Sequence, residues 1–221
     1  MAIDLDPADY ALFWRKPARR EGMLVAICGF DGTGKTTQVE RLQGTLEGRG
    51  VTVTRTRQPT DWYRNEPVVK SYLAHGTAAD GRLLTLLSAA DRRRNIVEVV
   101  DPALAAGGTV ICDRYVFSTL AFNVERGVDA LSIVRYNVDI PKPDLIVFLD
   151  LEPKIVLDRI MKRDKGNLAY EERDFSHVTR VRENFLAIAA LDPDIVVLDA
   201  TESADAIERR ILELHDAALV H

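Results

Sequence analysis

Short apolar runs alternating with longer helical stretches predict a three-layer α/β domain, a sheet between two helical layers joined by right-handed crossovers. The runs are "MLVAIC" (23–28), "VTVTRT" (51–56), "TVICD" (109–113), "LIVFLD" (145–150) and "DIVVLD" (194–199). All but the second are nearly continuous in Val, Ile and Leu, as strands covered on both faces of a parallel sheet are. No repeat, low-complexity tract or linker divides the chain, so residues 23–221 read as one domain behind an extension at 1–22.

Each element has its own signal. In the extension, "ADYALFWR" reads as a short helix with aromatics to dock. Early acids and the lack of a continuous apolar core argue against a signal peptide, and no run approaches the roughly 20 residues of a membrane helix. The first run breaks into "GFDGTGKTTQ", and the helical stretch after it stops at Gly48 and Gly50. "VTVTRT" alternates, as a strand near an edge does. "GRLLTLLSAADRRRNIVEVVDPALAAGG" reads as one long helix or two. The polar segment 164–176 reads as a mobile loop. Cys28 and Cys112 each close an apolar run and read as buried thiols of a reducing, cytoplasmic compartment. A net charge of −5, from 29 basic and 34 acidic residues, argues against a nucleic-acid binder.

The turn after the first run fits G-x-x-x-x-G-K-[ST] as Gly29, Phe30, Asp31, Gly32, Thr33, Gly34, Lys35 and Thr36. A buried strand before it and a helix after it are the context that pattern needs. Glycines let successive N–H groups curl around a phosphate chain, and the helix N-terminus adds its dipole. Lys35 is expected to reach the outer phosphates of ATP, and the Thr36 hydroxyl to ligate Mg²⁺. Thr37 completes the ATP-binding set in the same first turn. Asp113, Asp150 and Asp199 each end an apolar run, at the carboxyl edge where ligands of open α/β sheets gather. Asp113 differs by its neighbour Arg114, a cation placed to bridge phosphates while the acid serves the metal.

With those residues in view, the chain resembles the thymidylate kinase family of nucleoside monophosphate kinases over roughly residues 23–210. "GFDGTGKTTQ" is similar to that family's phosphate loop and "TRQP" (56–59) to its Thr-Arg-Glu-Pro turn. "LLSAADR" (86–92) resembles the helix with its base-reading arginine, "DRYVFSTLAF" (113–122) its Asp-Arg segment, and "PDLIVFLDLEP" (143–153) its fourth strand. The resemblance implies a P-loop kinase fold with five parallel strands in the order 2-3-1-4-5 and a lid at about 160–176. It implies dTMP as the acceptor, Mg²⁺ as the metal and a homodimer, with no nucleic acid or membrane involved.

Carried over by matching position, Asp31 would approach the acceptor sugar and Arg57 would hold the acceptor phosphate. Arg114 would lie between that phosphate and the phosphoryl group in transit, with Asp113 beside Mg²⁺. Arg92 would hydrogen-bond the base, Phe122 would wall its pocket, and Arg163 is the best match to the lid arginine that covers the donor. Gln58 stands where the family usually has glutamate and Asn123 where glutamine or another polar residue is common. Ser88 stands where it has a base-stacking aromatic, a contact worth about 1–3 kcal/mol. That departure keeps open a related kinase acting on another nucleotide, a nucleoside or a phosphorylated metabolite. A nucleotide switch or ATPase is the third reading; neither an Asn-Lys-x-Asp motif nor an acid pair closing the third strand is present.

Overall fold

A computed structural model describes residues 3–16, 21–76, 80–165 and 168–219; parts of the expected extension (1–2, 17–20) and lid (166–167) lie outside these described residues. The chain enters α1 (Pro7–Ala11) through Asp6, whose carboxylate accepts the Asp9 N–H at 2.8 Å, with Pro7 preset for the first turn. After it come β1 (Met23–Gly29), α2 (Lys35–Gly48), β2 (Val53–Arg57), α3 (Asp61–Asn65), α4 (Pro67–His75), α5 (Gly81–Asn95) and α6 (Asp101–Ala105). A π turn, Ile96–Val100, joins α5 to α6, so the long helical stretch is two helices linked without a break. The second half runs β3 (Thr109–Asp113), α7 (Val116–Glu125), α8 (Ala130–Tyr136), β4 (Leu145–Asp150), α9 (Pro153–Arg163), α10 (Phe175–Leu191), β5 (Ile195–Asp199) and α11 (Ala204–Ala218).

The strands are parallel in the order β2-β3-β1-β4-β5, as expected. Every residue of β1 and β3 is buried, because each lies between two strands and under helices on both faces. α2 packs against α11 on one side, and α7 against α10 and α5 on the other. β2 is an edge strand, as its alternation predicts. β5 is the other edge, and here the expectation of burial on both faces is corrected: Val197 is 41% exposed, since among the described residues no strand pairs beyond it. Cys28 and Cys112 are free and buried, and burial pushes the Cys28 thiol up to about 12.

The segment before β1 packs into the same core. Phe13 is fully buried, and Tyr10 donates to the Asp192 carboxylate at 2.8 Å, just upstream of β5. Trp14 bridges Ile140, upstream of β4, and Arg15 grips the Asp101 carboxylate at 3.1 Å, upstream of β3. All these partners precede strands, so the segment closes the amino-terminal end of the sheet, opposite the glycine-rich turn.

The loop at 164–176 is also corrected. Within it lies a 3-10 turn, Tyr170–Arg173, in which Glu172 is buried and Glu171 is bonded to other elements. Among the described residues, no helix is long and apolar enough to cross a membrane.

Candidate active site

Where β1 ends, the backbone turns through left-handed conformations at Gly29 (φ 145°), Gly32 (φ 80°) and Gly34 (φ 94°). At Gly29 the requirement for glycine is twofold, because a Cβ there would meet the Leu149 carbonyl at 2.8 Å. The loop is closed by the Phe30 carbonyl, which accepts the Thr33 hydroxyl at 2.9 Å and the Lys35 ammonium at 2.6 Å. Gly34 offers α2 no side-chain cap. The first N–H groups of that helix, beside the exposed Thr36 and Thr37, are therefore open to an anion.

Lys35 is buried, with its nitrogen 3.5 Å from Asp31. Burial, reinforced by the neighbouring Arg114, pushes its ammonium down to about 8, against the pull of Asp31 and Asp113. Asp31 keeps half its side-chain surface open to solvent on one side. Crowding on the other side favours its neutral acid, but Arg114 and Lys35 outweigh that and hold the carboxyl well below the usual range.

Arg114 follows β3 in a left-handed conformation (φ 68°), a backbone cost on the order of 1–3 kcal/mol for a non-glycine residue. Its guanidinium donates to the Gly29 carbonyl at 3.0 Å and to Asp31 at 2.8 Å, and lies 5.5 Å from the centre of the Phe122 ring. The same side chain lines a neighbouring cleft. Phe122 forms one wall, stacked on Phe30 at 5.3 Å, and Ser88 reaches the cleft from α5.

Three other expected residues lie away from the cleft surface and the loop in this structure. Arg57 does not line the cleft: it is exposed, pairs with Asp61 and faces a separate groove. Arg64, one turn along α3, enters the cleft instead and donates to the Pro59 carbonyl at 3.3 Å. Arg92 is 1% exposed and lies beneath the floor, its guanidinium bonded to Gln58, Thr119 and Asn137. Arg163 turns outward onto Asp164, whereas Arg159, one turn earlier, reaches the carbonyls of Ala200 (3.1 Å) and Gly32 (3.5 Å). On long flexible side chains, a step of one helical turn decides which residue reaches the loop.

The mouth of the cleft carries residues the motifs do not mark. Arg126 binds Glu171 through two bonds, 2.7 and 3.0 Å, and rests on the Tyr72 ring at 5.1 Å, while the Tyr72 hydroxyl donates to Glu171 at 2.8 Å. One signal for Arg126 was available: Thr119, Phe122, Asn123 and Arg126 recur at helical spacing on the cleft side of α7.

Of the acids ending strands, Asp150 is held by Arg182 at 2.7 and 2.9 Å, and Asp199 caps the Thr201 N–H at 2.8 Å. Asp113 is buried with one carboxylate oxygen unpartnered. That oxygen and the exposed Thr36 hydroxyl suit Mg²⁺, which is commonly held by one or two protein oxygens, water and substrate phosphates.

Known proteins are similar to this chain over most of its length. A family model described as thymidylate kinase matches residues 27–211. The chain is 38% identical over 203 residues to the thymidylate kinase of Solidesulfovibrio magneticus, covering 86% of this chain and 96% of that one. It is 34% identical over 198 residues to the probable thymidylate kinase of Pyrococcus horikoshii (87% and 95% covered), and 36% over 197 to the thymidylate kinase of a Geobacillus species (85% and 92%).

Proposed function

The chain belongs to the thymidylate kinase family, and on that footing we propose that it transfers the γ-phosphoryl group of ATP to dTMP, giving dTDP and ADP. The placement of Arg114 carries this reading. One guanidinium touches the phosphate loop through Gly29 and Asp31 and lines the adjoining cleft, so donor and acceptor phosphates would meet across it. Two polyanions approaching head-on need cations on their line of attack, and Arg114, Lys35 and Arg64 supply them.

The loop Gly29–Thr37 holds the donor, and the cleft between α3, α5 and α7 holds the acceptor. Bound through Asp113 and Thr36, Mg²⁺ would neutralise charge on the outer phosphates. Arg126 and Glu171 close the cleft mouth and keep water from competing for the phosphoryl group. The net charge of −5 and the local anion site agree with a small-molecule enzyme of the cytoplasm that uses neither nucleic acid nor membrane. Leu83, Leu86 and Val97 stand exposed on one face of α5 and its π turn, and a second copy covering that face would make a homodimer. Sedimentation velocity tests the dimer: a monomer at micromolar concentration rules it out.

A coupled ADP-release assay with dTMP, dUMP, UMP, dCMP, CMP, AMP and thymidine tests the function. ADP release is expected only with an acceptor present, and fastest with dTMP. Arg114→Ala should lower kcat by about 10²–10³ while moving the KM for ATP only a few-fold, because its charge matters most in the transition state. Steady turnover without an acceptor, or an effect confined to the KM for ATP, overturns the assignment.

A further inference from the structure

His177 belongs to no motif and does not line the cleft, yet it stands behind the ion pair that closes the cleft mouth. It lies in the first turn of α10, capped by Asp174, and its side chain is 12% exposed. Its Nδ1 is 3.5 Å from the Glu125 carboxylate; its Nε2 is 3.9 Å from Glu171 and has no hydrogen-bond partner. The ring is also 6.3 Å from the centre of Phe122, a wall of the cleft. At this one imidazole α7, α10 and the turn Tyr170–Arg173 meet.

The charge around it is already matched. From α7 come Glu125 and Arg126, from the turn Glu171, and from α10 and its cap Arg180 and Asp174, while Tyr72 of α4 adds a hydroxyl bond to Glu171. Arg180 donates to Glu125 at 2.7 Å, and Arg126 to Glu171 at 2.7 and 3.0 Å. Two enclosed carboxylates thus face two guanidiniums. The remaining acid, Asp174, is exposed and accepts from the Ser176 N–H and hydroxyl. A neutral imidazole leaves that balance intact. An imidazolium would add a third cation in a place short of water, at the end of a helix whose dipole repels it. Burial, with Arg126 adding to it, outweighs the attraction of Glu171 and Glu125 and holds the imidazole below its ordinary value.

We propose that His177 is a positioning residue for the acceptor: while neutral it lets the turn carrying Glu171 dock over the cleft, and its protonation loosens that docking, so that the acceptor is held less well in acid. This rests on the reading of the cleft as the acceptor site. The sign follows from burial. Undocking returns the ring to water, where it titrates near its ordinary value of about 6.5. Docking is therefore at full strength above that pH and weakens as pH falls below it.

Hydrogen exchange of residues 169–176, followed by mass spectrometry in wild type and in His177→Gln at the same pH, tests the docking, since intrinsic exchange rates cancel between the two proteins. The ratio of wild-type to variant exchange should rise about threefold to tenfold between about pH 7.5 and about pH 5.5. The ratio of the wild-type KM for dTMP to that of the variant should rise over the same range. Both enzymes meet the same phosphate, so its own ionisation drops out of that ratio. If His177→Gln does not fold by circular dichroism, His177→Phe serves the same comparison. A ratio that stays constant in either measurement overturns the inference while the kinase assignment stands. A pH-dependent exchange ratio in a protein that phosphorylates no nucleoside monophosphate would leave the proton-sensitive turn and overturn the acceptor reading instead.

Discussion

Lys35 carries a positive charge into a place that resists one. Its ordinary value of 10.5 falls to about 8 because burial and Arg114 oppose the ammonium. In the nucleotide-free protein that cost is fully present below about pH 8 and is relieved as pH rises towards 10.5, where the unfolded chain also loses the proton. Lys35→Met should therefore stabilise the empty protein at pH 7 by about 1–3 kcal/mol, and the advantage should shrink by pH 10. Thermal denaturation at the two pH values checks this; a less stable variant at pH 7 contradicts it. The same substitution should abolish phosphoryl transfer. Stability given up at one residue is recovered when phosphates arrive, the usual trade at a site prepared for its ligand.

At the scale of elements, the 3-10 turn Tyr170–Arg173 is tied to the cleft by Glu171. Burial alone would raise the Glu171 acid, but Arg126 holds it ionised. Glu171→Gln keeps the shape and loses the charge of a half-enclosed pair, so the acceptor KM should rise about tenfold with a smaller change in the KM for ATP. Steady-state kinetics with each substrate varied decides it; equal changes in both KM values would place the turn over the donor as well. The strands and the phosphate loop were legible in the residues alone, because buried parallel strands need unbroken apolar runs and the loop needs glycine at fixed spacing. β5 misled because an edge strand can carry the same apolar letters as a central one. Arg64 and Arg159, rather than Arg57 and Arg163, stand nearest the cleft and the loop in this structure, a placement the motifs do not give, since a motif counts positions along the chain and does not record where a long side chain lands. The Arg126–Glu171 pair joins residues 45 apart in sequence and has no local signature.

Across the whole molecule, chemistry and anchorage occupy opposite ends of the sheet. The phosphate loop, Arg114 and the cleft sit at the carboxyl ends of the strands, while Tyr10, Phe13, Trp14 and Arg15 close the amino ends. Phe13→Ala removes a fully buried ring and should cost about 3–5 kcal/mol in denaturant unfolding. Because the lost contacts lie far from the transferred group, kcat of the folded fraction should stay within about twofold of wild type. A loss of kcat without a loss of stability would mean that the segment reaches the site after all.

The bond from Tyr10 to Asp192 also has a consequence in time. Its ends are separated by 182 residues, so during synthesis the aromatic segment leaves the ribosome long before its partner exists. At about 5–20 residues per second that wait lasts on the order of 10–40 s. For that interval the Tyr10 hydroxyl lacks its acceptor on a growing chain, within reach of a chaperone or of another nascent copy. A residue made 182 positions before its acceptor must be kept from the wrong partner for as long as that acceptor is missing.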